Sequence, residues 1–274
     1  MLRQPAVAGR FYPADPAVLR ADLNSYLSPP AERVRAIGCI VPHAGYMYSG
    51  QVAGAVWSRL EIPQRSIILC PNHTGRGHPL AVMDEGEWLT PLGKVGIDRE
   101  LAAQLLGAFP ALAKDSEAHR SEHAIEVELP FLQVTRPGAT FVPIAVGTSR
   151  PLLLENLGHA IANVIRDRAA ANPKDSILII ASSDMNHYED DATTRVKDRK
   201  AIDKILTLDP RGLYDTVINE SVSMCGFGPA VAMLAAAKKL GAARADLVEY
   251  RTSGDVSGER DMVVGYAGII VLAG

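Results

Sequence analysis

Apolar runs of strand length alternate with segments of helical period along the whole chain, and this alternation limits the possible folds more than any single motif does. Four runs have the length and composition of buried strands, at 36–42, 65–71, 140–146 and 176–182. Because helical segments lie between such runs, the pattern predicts an α/β fold, a three-layer α/β/α sandwich around a mixed β-sheet. No linker or low-complexity segment interrupts the chain, so we predict one domain over residues 1–274.

The first 71 residues predict the beginning of this architecture. Asp15 and Pro16 are suited to the cap and first position of an amphipathic helix over 15–27. The strand at 36–42, a helix entered through Ser49 and the strand at 65–71 then form a β-α-β unit, for which we predict parallel strands.

The sequence also predicts the secondary structure of three further segments. Residues 85–98 alternate apolar and polar side chains around a Pro-Leu-Gly turn, which predicts a hairpin on the margin of the sheet. Residues 121–133 predict a helix. The last two strands, within 245–253 and 262–272, are joined by a polar loop and are therefore predicted to pair antiparallel.

Composition excludes several classes of protein. The formal net charge is −3 and the basic residues are scattered, which does not fit a nucleic-acid-binding surface. The chain has neither an apolar run of the roughly 20 residues that a membrane span needs nor the apolar core of a secretory signal. We therefore predict a cytoplasmic protein without membrane or nucleic-acid partners.

Soft metal ligands stand where predicted strands end. His43 follows the strand at 36–42 and His73 follows the strand at 65–71, each beside glycines that permit tight turns. Cys225 precedes Gly226 in a third such segment. Since the carboxyl ends of strands carry the chemistry of α/β proteins, we predict a metal site of His43, His73 and Cys225. Two imidazoles and a thiolate can hold Fe(II), copper or zinc.

Three other side chains are candidates for catalytic or pocket-lining roles. Asp184 and His187 follow the strand at 176–182, and His123 begins the predicted helix at 121–133. Asp184 can act as a fourth metal ligand or an orienting carboxylate, and His187 as an acid or base or as a group that positions oxygen. The alternative for Asp184 is structural, a carboxylate that binds the backbone N–H groups of the turn that follows it.

Residues His119 to His123 spell H-x-x-E-H, the inverted zincin signature. That peptidase chemistry needs both histidines on one helix, whereas the helical period begins only near Ser121. We therefore predict that His119 lies outside the helix and is not a zinc ligand.

Taken together, the motifs AGRFYPAD, VPHAGYMYSG, PNHTG, SEHAIEVELPFLQ, ASSDMNHYE, MCGFGP and GYAGIIV resemble those of the Memo family in content and in order. Microbial members of that family are often called AmmeMemoRadiSam system protein B. The family is similar in fold to the LigB-like class III extradiol dioxygenases, which hold non-haem iron with two His and one Glu. The resemblance implies that His43 and His73 correspond to the two His ligands and that Cys225 stands in place of the carboxylate.

The resemblance leaves two functions open. One is a LigB-like pocket that binds a redox-capable metal, iron(II) or copper with zinc as a further candidate, and that acts as an oxidoreductase on a small molecule or peptide. The other is a non-catalytic module that binds a partner or peptide on a vestigial dioxygenase fold. The resemblance also implies association with radical SAM and AMMECR1-like proteins. Because a thiolate ligand is oxidisable, we do not expect rapid cleavage of catechol rings.

Overall fold

The structure is a computed structural model that describes residues 1–28 and 32–274. The strands are β1 (Leu2–Arg3), β2 (Gly38–Val41), β3 (Arg65–Pro71), β4 (Leu80–Val82), β5 (Glu87–Thr90), β6 (Gly93–Gly96), β7 (Ala113–Lys114), β8 (Thr140–Val146), β9 (Ile177–Ser182), β10 (His187–Glu189), β11 (Ala242–Thr252) and β12 (Val263–Ala273). The helices are α1 (Pro16–Tyr26), α2 (Tyr46–Arg59), α3 (Arg99–Ala108), α4 (Leu129–Thr135), α5 (Pro151–Ala171), α6 (Asp191–Leu206), α7 (Pro210–Asn219), α8 (Phe227–Lys239) and α9 (Gly254–Ser257), with 3₁₀ turns at Glu117–His119 and Glu126–Glu128.

The main sheet is mixed, as predicted. Its centre is the parallel set β2, β9, β3 and β8, in that spatial order. Antiparallel strands flank this set: β12 pairs with β2, and β4 pairs with β8. The closing strands β11 and β12 are antiparallel to each other, which confirms the prediction. The strands of the predicted β-α-β unit, β2 and β3, are parallel, with β9 inserted between them.

Helices cover both faces of this sheet and complete the predicted three-layer sandwich. Alternate residues of β3 point to opposite faces: Ile67 and Leu69 join a core with α5 and α8, whereas Ile68 and Cys70 join a core with α1 and α2. Burying each large aliphatic side chain contributes roughly 1.5–3 kcal/mol, so these two cores fix the layers. No helix within the described ranges has the length and apolarity of a membrane span.

The predicted hairpin forms, but not on the margin of the main sheet. β5 and β6 pair antiparallel and join β1 in a separate three-stranded sheet. The reason is that Trp88 of β5 is fully buried in the core beside α1 and α2, under the guanidinium of Arg3 at 4.1 Å from the ring centre. β4 and β7 form the sheet margin instead.

Helix α1 has the predicted start, because the Asp15 carboxylate accepts from the backbone N–H groups of Ala17 and Val18. Helix α2 begins at Tyr46 rather than at Ser49. Gly45 is its N-cap, and the Ser49 hydroxyl donates to the carbonyl of Ala44.

The helix predicted over 121–133 begins later than expected. Residues 121–125 are not helical, and a 3₁₀ turn precedes α4 at Leu129. The physical reason is the Glu122 carboxylate, which accepts from the backbone N–H groups of His123 and Ala124 and so holds this segment in a turn.

Candidate metal centre

Three adjacent parallel strands deliver three of the predicted site residues to one edge of the sheet. β2 leads to His43, β9 leads to Asp184 and β3 leads to His73, and these strands lie in the order β2, β9, β3. Their carboxyl ends therefore meet at one place, where open α/β sheets bind ligands. The strand-end prediction from the sequence is confirmed for these three residues.

His43, His73 and His123 form a cluster of imidazoles whose ligand atoms all lie within 4.8 Å of one another. The rings of His73 and His123 are stacked, with centroids 4.7 Å apart. The ring of His43 meets both edge-on, at 5.3 Å and 5.4 Å. This cluster of nitrogen donors is close enough to bind one metal ion, so the residues fit such a group.

A serine hydroxyl forms a hydrogen bond with the His43 ring at Nδ1. Its Nδ1 lies 2.9 Å from the Oγ atom of Ser182, the last residue of β9, and both side chains are buried. Burial, together with the neighbouring histidines, lowers the pKa of His43 well below its usual value. The ring is therefore neutral at physiological pH, which is the state that binds metals.

His73 is held by a buried carboxylate. Its Nδ1 lies 2.9 Å from Oε1 of Glu122, and its backbone N–H donates to Oε2 at 2.6 Å. Burial lowers the pKa of His73, but the hydrogen bond and charge of Glu122 outweigh that effect and the net pKa is raised. A carboxylate on the far nitrogen of a histidine orients the ring and increases its basicity as a ligand.

Cys225 stands beside His43 rather than at the centre of the imidazole cluster. Its Sγ lies 3.3 Å from Nε2 of His43 and accepts the backbone N–H of Asp184 at 3.3 Å. Burial, followed by the charge of Asp184, raises the pKa of this thiol. Without a metal it is therefore a neutral thiol, and a bound cation would deprotonate it.

Asp184 has a structural role, but at the turn after β2 rather than at the turn that follows it in the sequence. Its Oδ1 accepts the backbone N–H of His43 at 2.8 Å, which fixes the turn after β2. Burial raises the pKa of Asp184 to about 7. Its carboxyl group also faces the cavity in front of the histidines.

His187 lines the same cavity. Its Nδ1 lies 2.9 Å from the carbonyl oxygen of Ser223, which can only accept, so Nδ1 carries the hydrogen and Nε2 is the basic nitrogen of the neutral ring. Burial lowers the pKa of His187.

The cavity has a volume of about 550 Å³. Aromatic side chains form much of its wall, and the exposed ring of Tyr188 stands at its rim. The predicted metal and catalytic residues all line it: His43, His73, His123, Asp184, His187 and Cys225.

His119, the other histidine of the H-x-x-E-H motif, is outside this site. It is fully buried in the 3₁₀ turn at Glu117–His119, with Nε2 3.2 Å from the carbonyl oxygen of Ala81. The peptidase arrangement does not form, as the sequence predicted.

Sequence reasoning missed the side chains that support the histidines. Glu122 holds His73, and Ser182 holds His43 and lies 3.0 Å from a third buried group, Glu128. The signal for Glu122 was its position next to His123, within a motif that was considered only as a peptidase signature. Nothing in the sequence pattern marked Glu128.

Known proteins resemble this chain over nearly its whole length. The sequence profile of the family described as Memo-like protein matches residues 3–270. A MEMO1 family protein from Methanosarcina mazei is 43% identical over 272 residues, which are 98% of this chain and 99% of the relative. MEMO1 family proteins from Methanothermobacter thermautotrophicus and Methanopyrus kandleri are 40% and 41% identical, over 97% and 100% of this chain and 99% and 100% of the relatives. The chain therefore belongs to the Memo family.

Proposed function

We propose that this protein binds one redox-capable metal ion, iron or copper, through Nε2 of His43, Nε2 of His73 and the thiolate of Cys225. The observation that carries the proposal is the support of both rings at Nδ1, by Ser182 and by Glu122, which leaves both Nε2 atoms free to coordinate.

The position of Cys225 supports its assignment as the third ligand. Nitrogen and sulfur ligands at about 2.0 and 2.3 Å from one tetrahedral ion lie about 3.5 Å apart. The distance between Nε2 of His43 and Sγ of Cys225 is 3.3 Å. His123 has no comparable support at its ring nitrogen, since its Nδ1 is 3.4 Å from Glu122, so we assign it to the pocket wall rather than to the ligand set.

The donor set favours iron or copper. Imidazole suits zinc, iron and copper, and a thiolate shifts the preference towards softer ions such as Cu(I). When bound, such an ion supplies one-electron redox chemistry. The LigB-like pocket implied by the family resemblance leaves room in front of the ion for a small molecule or a peptide.

The remaining pocket residues have roles that follow from their contacts. Nε2 of His187 is the nitrogen that can take up or release a proton, because Nδ1 is committed to Ser223. Asp184 holds the backbone of His43 and with it the direction of that ring. His123 stacks on His73 and restricts its rotation.

The experiment is metal titration of Cys225→Ser after anaerobic reconstitution. We expect weaker binding of Fe(II) and Cu(I) than in the wild type, while Cys39→Ala, which removes a buried thiol of β2, binds as the wild type does. Unchanged affinity of Cys225→Ser for Fe(II), Cu(I) and Zn(II) would remove Cys225 from the ligand set.

A second function, partner or peptide binding without turnover, is favoured by one observation. The Tyr188 ring is 71% exposed at the rim of the cavity, where it can contact a bound chain. Radical SAM and AMMECR1-like proteins are the partners that the family resemblance suggests. Partner binding that persists in metal-free His43→Ala would favour this function over the first.

A further inference from the structure

A buried carboxyl group lies behind the first metal ligand. Oε1 of Glu128 is 3.0 Å from Oγ of Ser182, and the same Oγ is 2.9 Å from Nδ1 of His43. The Ser182 hydroxyl also donates to the carbonyl of Ala124 at 2.8 Å. The side chains of all three residues, His43, Ser182 and Glu128, are buried.

These contacts place the hydrogens. A serine hydroxyl has one hydrogen to donate and two lone pairs that accept. The Ala124 carbonyl can only accept, so it takes the Ser182 hydrogen. The two other neighbours must then both donate to Oγ. His43 can do so only from Nδ1–H, and Glu128 can do so only as a neutral carboxylic acid protonated on Oε1.

The second oxygen of Glu128 agrees with this placement. Oε2 lies 3.2 Å from Nε1 of Trp57, and an indole nitrogen only donates. Oε2 is thus the carbonyl oxygen of the acid, and the proton lies on the oxygen that faces Ser182. Every polar atom in the group then has a partner of the right kind.

Glu126, two residues earlier, shows what an ionised carboxylate needs at this depth. It is equally buried, but it accepts from the guanidinium of Arg3 at 2.5 Å, from the Tyr12 hydroxyl and from the backbone N–H groups of Ala6 and Val7. Among the described residues that act on the pKa of Glu128 there is no cation. An unpaired buried carboxylate is costly and takes up a proton instead.

Electrostatics point the same way. Burial, together with the nearby carboxyl of Asp184, raises the pKa of Glu128 to about 8 despite its hydrogen bonds.

We infer that Glu128 is a neutral acid that holds the Ser182 hydroxyl in place, and that this pair fixes His43 as the Nδ1–H tautomer with Nε2 presented to the metal. Glu128 is a positioning residue, since it acts on His43 only through Ser182. The inference rests on the proposed function only where it takes Nε2 as the ligand atom. The proton placement is a property of the metal-free protein.

The test compares Glu128→Gln, Glu128→Leu and Ser182→Ala in the full chain without metal. Nitrogen-detected NMR of the imidazoles reads the tautomer of His43, and infrared spectroscopy reads the C=O stretch of a buried protonated carboxyl group. The glutamine amide can donate to Ser182 and accept from Trp57 as the acid does, so Glu128→Gln keeps the Nδ1–H tautomer and loses the part of the infrared band that comes from Glu128. Ser182→Ala and Glu128→Leu lose the uniform tautomer. Glu117→Gln, an exposed carboxylate, changes neither signal.

Zn(II) titration supplies an independent readout. We expect Glu128→Gln to bind as the wild type does and the other two variants to bind about 10- to 100-fold more weakly, the range usual for groups that orient a ligand. A wild-type spectrum that loses no C=O intensity on Glu128→Gln, once the band of the buried Asp184 carboxyl has been removed from both by Asp184→Asn, would overturn the inference even if the protein binds metal. An Nε2–H tautomer of His43 in the wild type would do the same. Conversely, a wild type that shows both signals but binds no metal would leave the proton placement standing and refute the proposed function.

Discussion

The Glu122 carboxylate binds both the ring and the backbone of His73. Its Oε1 lies 2.9 Å from Nδ1, and its Oε2 accepts a hydrogen bond from the backbone N–H at 2.6 Å. The same carboxylate accepts from the backbone N–H groups of His123 and Ala124. One buried side chain thus sets the position of two of the three clustered imidazoles. The pKa of Glu122 is lowered despite its burial, because hydrogen bonding and charge from His73, with smaller contributions from His123 and Ala124, outweigh the cost of desolvation.

Glu122→Gln should weaken metal binding. Glutamine has one acceptor oxygen where glutamate has two, so either the ring or the backbone of His73 loses its partner. We expect a dissociation constant for Zn(II) about 10- to 100-fold higher than in the wild type, measured by competition with a chelating dye. Glu117→Gln is the matched control, because its carboxylate is half exposed and outside the site. Equal affinity in both variants would show that Glu122 is not a support of the ligand.

Gly226→Ala should disturb the position of Cys225. A Cβ at Gly226 would overlap Cβ of Ser183 and would lie 2.5 Å from the carbonyl oxygen of Ser182, both parts of the chain that cannot easily move. Overpacking of this kind costs about 1–3 kcal/mol, read as a lower free energy of unfolding in urea. Gly107→Ala in α3 is the control, since its Cβ would meet open space and alanine is the better helix former by about 0.5–1 kcal/mol. A change in the free energy of unfolding that has the same sign in both variants would contradict the close packing at Gly226.

Tyr188 has a φ of 60°, a left-handed conformation that is strained for a residue with a Cβ. Because its side chain is largely exposed, little apolar burial is lost when it is removed. Tyr188→Gly should therefore raise the free energy of unfolding by about 1 kcal/mol. Tyr188→Phe, which keeps the strain, should leave it unchanged. Thermal denaturation of the two variants and the wild type tests this. A Tyr188→Gly variant that is less stable than the wild type would mean that the Tyr188 ring stabilises the fold by more than the backbone strain destabilises it.

Protonation of Asp191 at low pH should lower the free energy of unfolding. Its carboxylate lies between Arg195 at 2.9 Å and Arg260 at 2.5 Å, and hydrogen bonding from Arg195 in particular lowers its pKa to about 2. Since the unfolded value is about 3.9, this contribution is complete above pH 4 and disappears as the pH falls towards 2.

Asp191→Asn should lower the free energy of unfolding by about 1 kcal/mol at pH 6, less than the full linkage value because the two arginines are 36% and 52% exposed. The difference from the wild type should shrink between pH 4 and pH 2 in urea titrations. Asp203→Asn, whose partner Arg199 is more exposed, should have little effect at any pH. A difference that is constant with pH would exclude the ion pairs as its cause.

The sequence predicted the class of fold and the edge of the sheet that carries the site, because both follow from local patterns. Buried strands have a recognisable length, and the ends of parallel strands must meet. That argument brought His43, His73 and Asp184 together although 141 residues separate the first from the last. The metal-ligand role of Cys225 stays a prediction.

The supports of the site could not be predicted in the same way. Ser182 and Glu128 are 54 residues apart, and their contact depends on how α4 and the preceding 3₁₀ turn pack against β9. The apolar periodicity at 121–133 indicated a helix over the whole segment. Periodicity contains no information on side-chain hydrogen bonds, so it did not show that the Glu122 carboxylate binds the backbone N–H groups of His123 and Ala124. The small sheet of β1, β5 and β6 was missed because its first strand has only two residues, Leu2 and Arg3.

The central claim, that this cavity holds a redox-capable metal ion, is tested most directly by elemental analysis of the protein purified anaerobically without chelator or affinity tag. The account predicts about one iron or copper ion per chain in the wild type and almost none in His43→Ala, with circular dichroism confirming that the variant is folded. A wild type that carries no metal and takes up none of Fe(II), Cu(I) or Zn(II), or a folded His43→Ala with undiminished metal content, would contradict it.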